Sequence, residues 1–152
     1  MTRATKLLTA LPPPQRARLM ELGREVSFPE DTRIFEPGGA ADRFWVIRSG
    51  AVSLYQQVTS LHRVTVAGLG AGDLLGWSWL FPPHQWDFGA EAFSPVRAYE
   101  FEARPVLAVC EEDPRLGLTL VRLVAEILAH RLETTRGQLL EQYAAAHRRG
   151  AR

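Results

Sequence analysis

The chain has 152 residues, 46% of them hydrophobic and 23% charged, with a formal net charge of +1. That length suits one domain with a sizeable core, and the charge balance gives no electrostatic case for a dedicated nucleic-acid binder. A single cysteine, Cys110, excludes an intrachain disulfide and a cysteine-built zinc site.

At the N-terminus, Leu7, Leu8, Leu11, Leu19 and Leu22 suggest a helical region over 1–24. Pro12, Pro13 and Pro14 interrupt it, a second helix starts near Gln15, and Gly23 ends that helix. From residue 25 short apolar runs alternate with turn residues. The expected strands are 25–28, 33–35, 43–49, 51–57, 63–69, 86–93 and 96–102. Their spacing of roughly 8–12 residues points to a β-barrel or sandwich rather than a βαβ fold.

After Glu102 the pattern turns helical. A short helix is expected over 105–112, broken by Asp113-Pro114. A long one follows over 115–143, with Gly117 and Gly137 as weak points. Leu116, Leu120, Leu123 and Ile127 form one stripe. Val121, Val124, Leu128, Leu132, Leu139 and Tyr143 form a second. At about 1.5 Å per residue such a helix runs to roughly 43 Å, longer than a small barrel. The second stripe therefore reads as a homodimer surface; one broad buried face in a monomer is the alternative. The tail 144–152 is small and basic, and it is expected to fray.

No run approaches the roughly 18–20 apolar residues of a membrane span. The start MTRATKLLTALPPP lacks a secretory pattern, so the expected location is the cytoplasm, with no membrane contact.

The stretch FPEDTRIFEPGGAADRFWVIRSGAVSLYQ, followed by GAGDLLG, resembles the cyclic-nucleotide-binding domain family. The matching residues are Ile34, Phe35, Gly38, Ala41, Asp42, Phe44, Val46, Ile47, Gly50 and Val52. The resemblance implies one mainly-β domain with flanking helices over 1–152: a jelly-roll barrel over 25–102 and C-terminal helices over 103–147. It also implies a cassette that cradles a cyclic phosphate. In that cassette a glutamate accepts the ribose 2′-hydroxyl and an arginine pairs with the phosphate.

Here the cassette is Leu75, Gly76, Trp77, Ser78, Trp79 and Leu80, then His84, Trp86, Asp87, Phe88 and Gly89. Trp77 stands at the glutamate position and Trp86 at the arginine position. No arginine lies between Arg63 and Arg97, so no small register shift restores the pair. His84 is the one candidate cation in the loop, and Asp87 would repel a phosphate. Each lost charge-assisted contact costs about 1.5–3 kcal/mol. Together they imply roughly 100-fold or more weaker binding, so tight cAMP or cGMP binding is not expected.

The tryptophans have three readings. They fill the vacated pocket, they line an aromatic pocket for a non-standard small ligand, or they meet a protein partner. On the long helix Arg122, Glu126 and His130 are spaced four apart. They read either as a solvated ladder or as a lid over the pocket. No HExxH, nucleophile elbow, Walker or dinucleotide motif occurs, so neither a catalytic residue nor a metal site is expected. A lone loop histidine such as His84 is more often a polar surface residue than a haem ligand. About nine residues follow Tyr143, too few for a helix-turn-helix module, so direct DNA binding is not expected of this chain. Two functions fit: a regulatory sensor for something other than an ordinary cyclic nucleotide, and a ligand-free module for dimerisation or protein contact.

Overall fold

The computed structural model describes residues 4–151. Two short helices, α1 (Leu7–Ala10) and α2 (Pro13–Met20), precede eight strands. These are β1 (Gly23–Phe28), β2 (Arg33–Phe35), β3 (Arg43–Ser49), β4 (Val52–Gln57), β5 (Arg63–Leu69), β6 (Leu74–Leu75), β7 (Gly89–Ala92) and β8 (Val96–Glu102). A 3-10 helix, Ser78–Leu80, lies between β6 and β7. Helices α3 (Ala103–Glu112) and α4 (Pro114–Gly150) close the chain.

The strands form two antiparallel sheets, ordered β1-β8-β3-β6 and β2-β7-β4-β5. This is the expected jelly-roll architecture. On β3, Phe44, Trp45, Val46 and Ile47 are all buried, so both faces of that strand carry core. Trp45 reaches across to Phe35 of the other sheet, with ring centroids 5.7 Å apart. Phe44 stacks on Phe101, its register partner on β8, at 4.9 Å. At Gly50, φ is +90° and a Cβ would lie 2.2 Å from the Pro95 carbonyl oxygen. Only glycine fits that turn.

Several boundaries differ from the sequence reading. Gly23 opens β1 instead of capping α2, which starts at Pro13 with proline in its first turn. Strand β4 starts at Val52, and α3 starts two residues early, at Ala103. The expected strand 86–93 shrinks to β7. The Trp86 N–H donates to the Gly39 carbonyl and the Trp86 carbonyl accepts from Gly38 N–H, so this residue joins a turn rather than the sheet ladder. Strand β6 and the 3-10 helix carry too little periodicity to be read.

Helix α4 begins at Pro114, with Asp113 accepting from Leu116 N–H at 3.3 Å. It does not fray at residue 144. It continues to Gly150, through three alanines and into His147, Arg148 and Arg149, which oppose the negative end of its dipole. Its 37 residues span about 55 Å. Gly117 is no weak point, because a Cβ there would lie 2.9 Å from the Cys110 carbonyl oxygen of α3. It lets the two helices close together.

The second stripe of α4 divides. Val124 is buried in the core and Leu128 is half-buried against it, which corrects their assignment to a dimer face. Their phase is that of Leu120 and Ile127, which face the barrel. Val121, Leu132, Leu139 and Tyr143 are 48%, 65%, 65% and 69% exposed.

Candidate functional site: the cassette and the long helix

After β6 the chain turns through Gly76 at φ +94°. A Cβ on Gly76 would lie 2.8 Å from the Trp86 ring, so both the turn and the packing demand glycine. The 3-10 helix follows, then a cis Pro82-Pro83 bond and His84 at φ +56°. Gln85 bridges to Ala40 and brings Trp86 back beneath the cassette.

The three clustered tryptophans go to three different places. Trp79, 1% exposed, stacks on Phe44 at 4.6 Å, and its Nε1 donates to the Gly76 carbonyl at 3.2 Å. Trp86, 6% exposed, stacks on Phe35 at 4.1 Å and tilts against Trp45 at 6.1 Å. Trp77 is half-buried and meets the exposed Phe81 edge-on at 6.2 Å. One ring thus belongs to the core, one to the cassette cavity and one to its rim.

That cavity retains about 10 Å³, room for about one water. Gly76, Trp77, Ser78, Trp86, Asp87 and Phe88 of the cassette line it, with Phe35, Leu54 and Arg131. Leu75 is buried beside it, Leu80 is half-buried, and Gly89 lies under Tyr55. A Cβ on Gly89 would sit 2.1 Å from Tyr55 Cζ. Trp79 and His84 line a separate open cleft of about 590 Å³, bounded by Asp42, Arg43, Glu102 and Arg104. The His84 Nδ1 pairs with the Trp79 carbonyl at 3.0 Å, which holds the ring on that side.

None of Arg122, Glu126 and His130 lines the cassette cavity. Glu126 is exposed and accepts from Thr5 Oγ1 at 3.3 Å. The buried His130 Nδ1 has no hydrogen-bond partner among the described residues. The α4 residue that does line the cavity is Arg131, one position further on. Its Nη2 donates to the Leu74 carbonyl on β6. Burial lowers its pKa, and the charge of Asp73 opposes that shift. Asp73 is itself engaged by Lys6 at 2.5 Å. The sequence did carry a signal for Arg131. It continues the buried stripe Leu120, Val124, Ile127 by a step of four, so an arginine falls where the pattern asks for an apolar residue.

The chain belongs to the cyclic nucleotide-binding domain family, whose model matches residues 25–113. Among curated proteins it is 28% identical to the global nitrogen regulator of Nostoc sp., over 69% of this chain and 52% of that protein. It is 25% identical to a CRP-like cAMP-activated global transcriptional regulator of Mycobacterium tuberculosis, over 82% of this chain and 54% of that one. The chain thus spans about half the length of the curated relatives it matches. Among solved structures, a putative cyclic nucleotide-binding protein from Geobacter metallireducens superposes with a TM-score of 0.73 at 26% identity, covering 84% of this chain and 92% of that one. The catabolite activator protein of Thermus thermophilus shares the fold, with a TM-score of 0.74 at 22% identity over 91% of this chain and 63% of that one.

Proposed function

We propose that this chain is a regulatory domain whose cassette does not hold cAMP or cGMP tightly, and whose output runs through α4 as a homodimer. The observation that carries the reading is Trp86. It takes the sequence position of the family's arginine, its indole is buried, and about 10 Å³ of free space remains beside it. The cassette offers no guanidinium and no glutamate, and its one carboxylate, Asp87, repels a phosphate. No catalytic role is proposed. Among the described residues no helix is long and apolar enough to cross a membrane, and we place the protein in the cytoplasm as part of the same reading.

The exposed residues Val121, Leu132, Leu139 and Tyr143 support the homodimer, because a 37-residue helix presents them on a face that the other described residues leave uncovered. Transcriptional regulation is stated of the relatives; for this chain, direct DNA binding is not proposed. The burial of Trp79 and Trp86 also favours a second reading, a ligand-free module that uses the barrel to present α4.

Thermal unfolding tests the nucleotide claim. A ligand at 1,000 times its dissociation constant adds about 4.1 kcal/mol. In a domain of this size that raises Tm by roughly 8–16 °C. At about 100 µM, cAMP or cGMP is expected to raise Tm by no more than roughly 1–2 °C. A rise of several degrees with either nucleotide overturns the proposal.

A further inference from the structure

The open cleft that Trp79 and His84 line has a volume of about 590 Å³, which lies in the range of small-molecule sites. It shares no lining residue with the cassette cavity. Its walls come from the start of β3, the cassette loop at His84, and the junction of β8 with α3. Two backbone bonds hold these together. Ala41 N–H donates to the His84 carbonyl at 2.8 Å, and Ala103 N–H donates to the Asp42 carbonyl at 2.9 Å. Backbone pairing therefore shapes the cleft.

Some of its polar groups are already matched: Arg43 pairs with Asp42 at 3.0 Å and with Glu100 at 3.2 Å. Others are not. Glu102 and Arg104 are exposed and form no ion pair among the described residues. They flank Ala103, so one negative and one positive charge stand two residues apart on the same wall. His84 adds an acceptor. Its Nδ1 faces the Trp79 carbonyl, which can only accept. Nδ1 thus carries the hydrogen, and Nε2 of the neutral ring keeps its lone pair. At the head of α3, Asp42 takes the Ala103 N–H, Pro105 has none, and Glu102 gives no side-chain cap. Among the described residues this leaves the Arg104 N–H as a free donor beside its own guanidinium. Leu107, 38% exposed, and the buried Ala41 and Trp79 supply the apolar lining.

We propose that this cleft binds a free α-amino acid with an apolar side chain. The ligand's ammonium meets the Glu102 carboxylate and His84 Nε2. Its carboxylate meets the Arg104 guanidinium and N–H, and its side chain covers Leu107. Opposite charges on one ligand carbon match neighbouring unpaired charges of opposite sign. A simple anion or cation would satisfy one of them and oppose the other. The inference goes beyond the cassette reading: the cleft gives the domain an input that leaves Trp86 in its place, and the ligand would join the cassette loop to α3.

Calorimetry at neutral pH on the full chain tests this with three probes. These are L-phenylalanine, N-acetyl-L-phenylalanine, which lacks the ammonium, and L-phenylalaninamide, which lacks the carboxylate. The wild type is expected to bind the amino acid at least about five-fold more tightly than either derivative. Glu102→Gln should reduce the amino acid's affinity to that of the N-acetyl form, and Arg104→Gln should reduce it to that of the amide. Both side chains are exposed, so both variants should keep the wild-type Tm. If either loses cooperative unfolding, Leu107→Ser takes its place and is expected to weaken all three probes alike. No binding of L-phenylalanine, equal affinity for the three probes, or a preference that survives these substitutions overturns the proposal. A separate cAMP titration keeps the two readings apart: micromolar cAMP affinity defeats the cassette reading and leaves this one standing.

Discussion

Trp86 and Gly76 are matched, since the indole occupies the space a Cβ would need. Replacing Trp86 with alanine should open that space and destabilise the fold by about 3–5 kcal/mol, read as a lower urea midpoint with unchanged m-value. A loss below about 1 kcal/mol would mean the ring is not packed as described. Glu100 makes a second prediction at this scale. It is 6% exposed and accepts from Arg24, Arg43 and Trp45 Nε1. Burial raises its pKa, but the Arg24 and Arg43 hydrogen bonds outweigh burial and leave it below the ordinary 4.5. A depressed folded pKa contributes stability that is present above the unfolded value and lost as pH falls through the folded one. Stability should therefore fall below about pH 4.5. Glu100→Gln should flatten that part of the curve and cost about 1–3 kcal/mol at neutral pH. An unchanged acid limb would contradict the assignment.

Strands β3, β5 and β8 were legible because apolar residues recur between turn glycines and prolines, and long-range pairing agrees with that local pattern. The segment from Leu74 to Phe88 was not. Two-residue β6 shows no period, and Trp86 is bulky and apolar like a strand residue, yet its backbone bonds go to a turn. The cassette's missing glutamate and arginine were plain from residue identity alone. The place of Arg131 in the cavity wall was not, because nothing local says that an arginine on α4 reaches β6. Helical phase held the clue, since Arg131 continues the buried stripe. Phase also explains why Val124 belongs to the core while Leu132 does not. At this scale Gly89→Ala is informative. Its Cβ would strike the buried Tyr55 ring between β4 and β7, so a loss of about 1–3 kcal/mol is expected by thermal unfolding. No loss would mean that the β4–β7 contact is loose.

Over the whole molecule, one barrel carries a cavity filled by its own side chain and a helix of about 55 Å with an exposed apolar face. Sedimentation of the wild type should report a homodimer, and Leu132→Glu with Leu139→Glu should shift it to monomer without lowering the barrel's stability. A wild-type monomer at high concentration would contradict the role given to α4. The central claim concerns the cassette, and calorimetric titration of the wild-type protein with cAMP tests it most directly. The account predicts a dissociation constant of about 100 µM or weaker, the range left by a loss of 100-fold or more from micromolar affinity. A dissociation constant in the low micromolar range would show that Trp86 gives way to the nucleotide, and would contradict it.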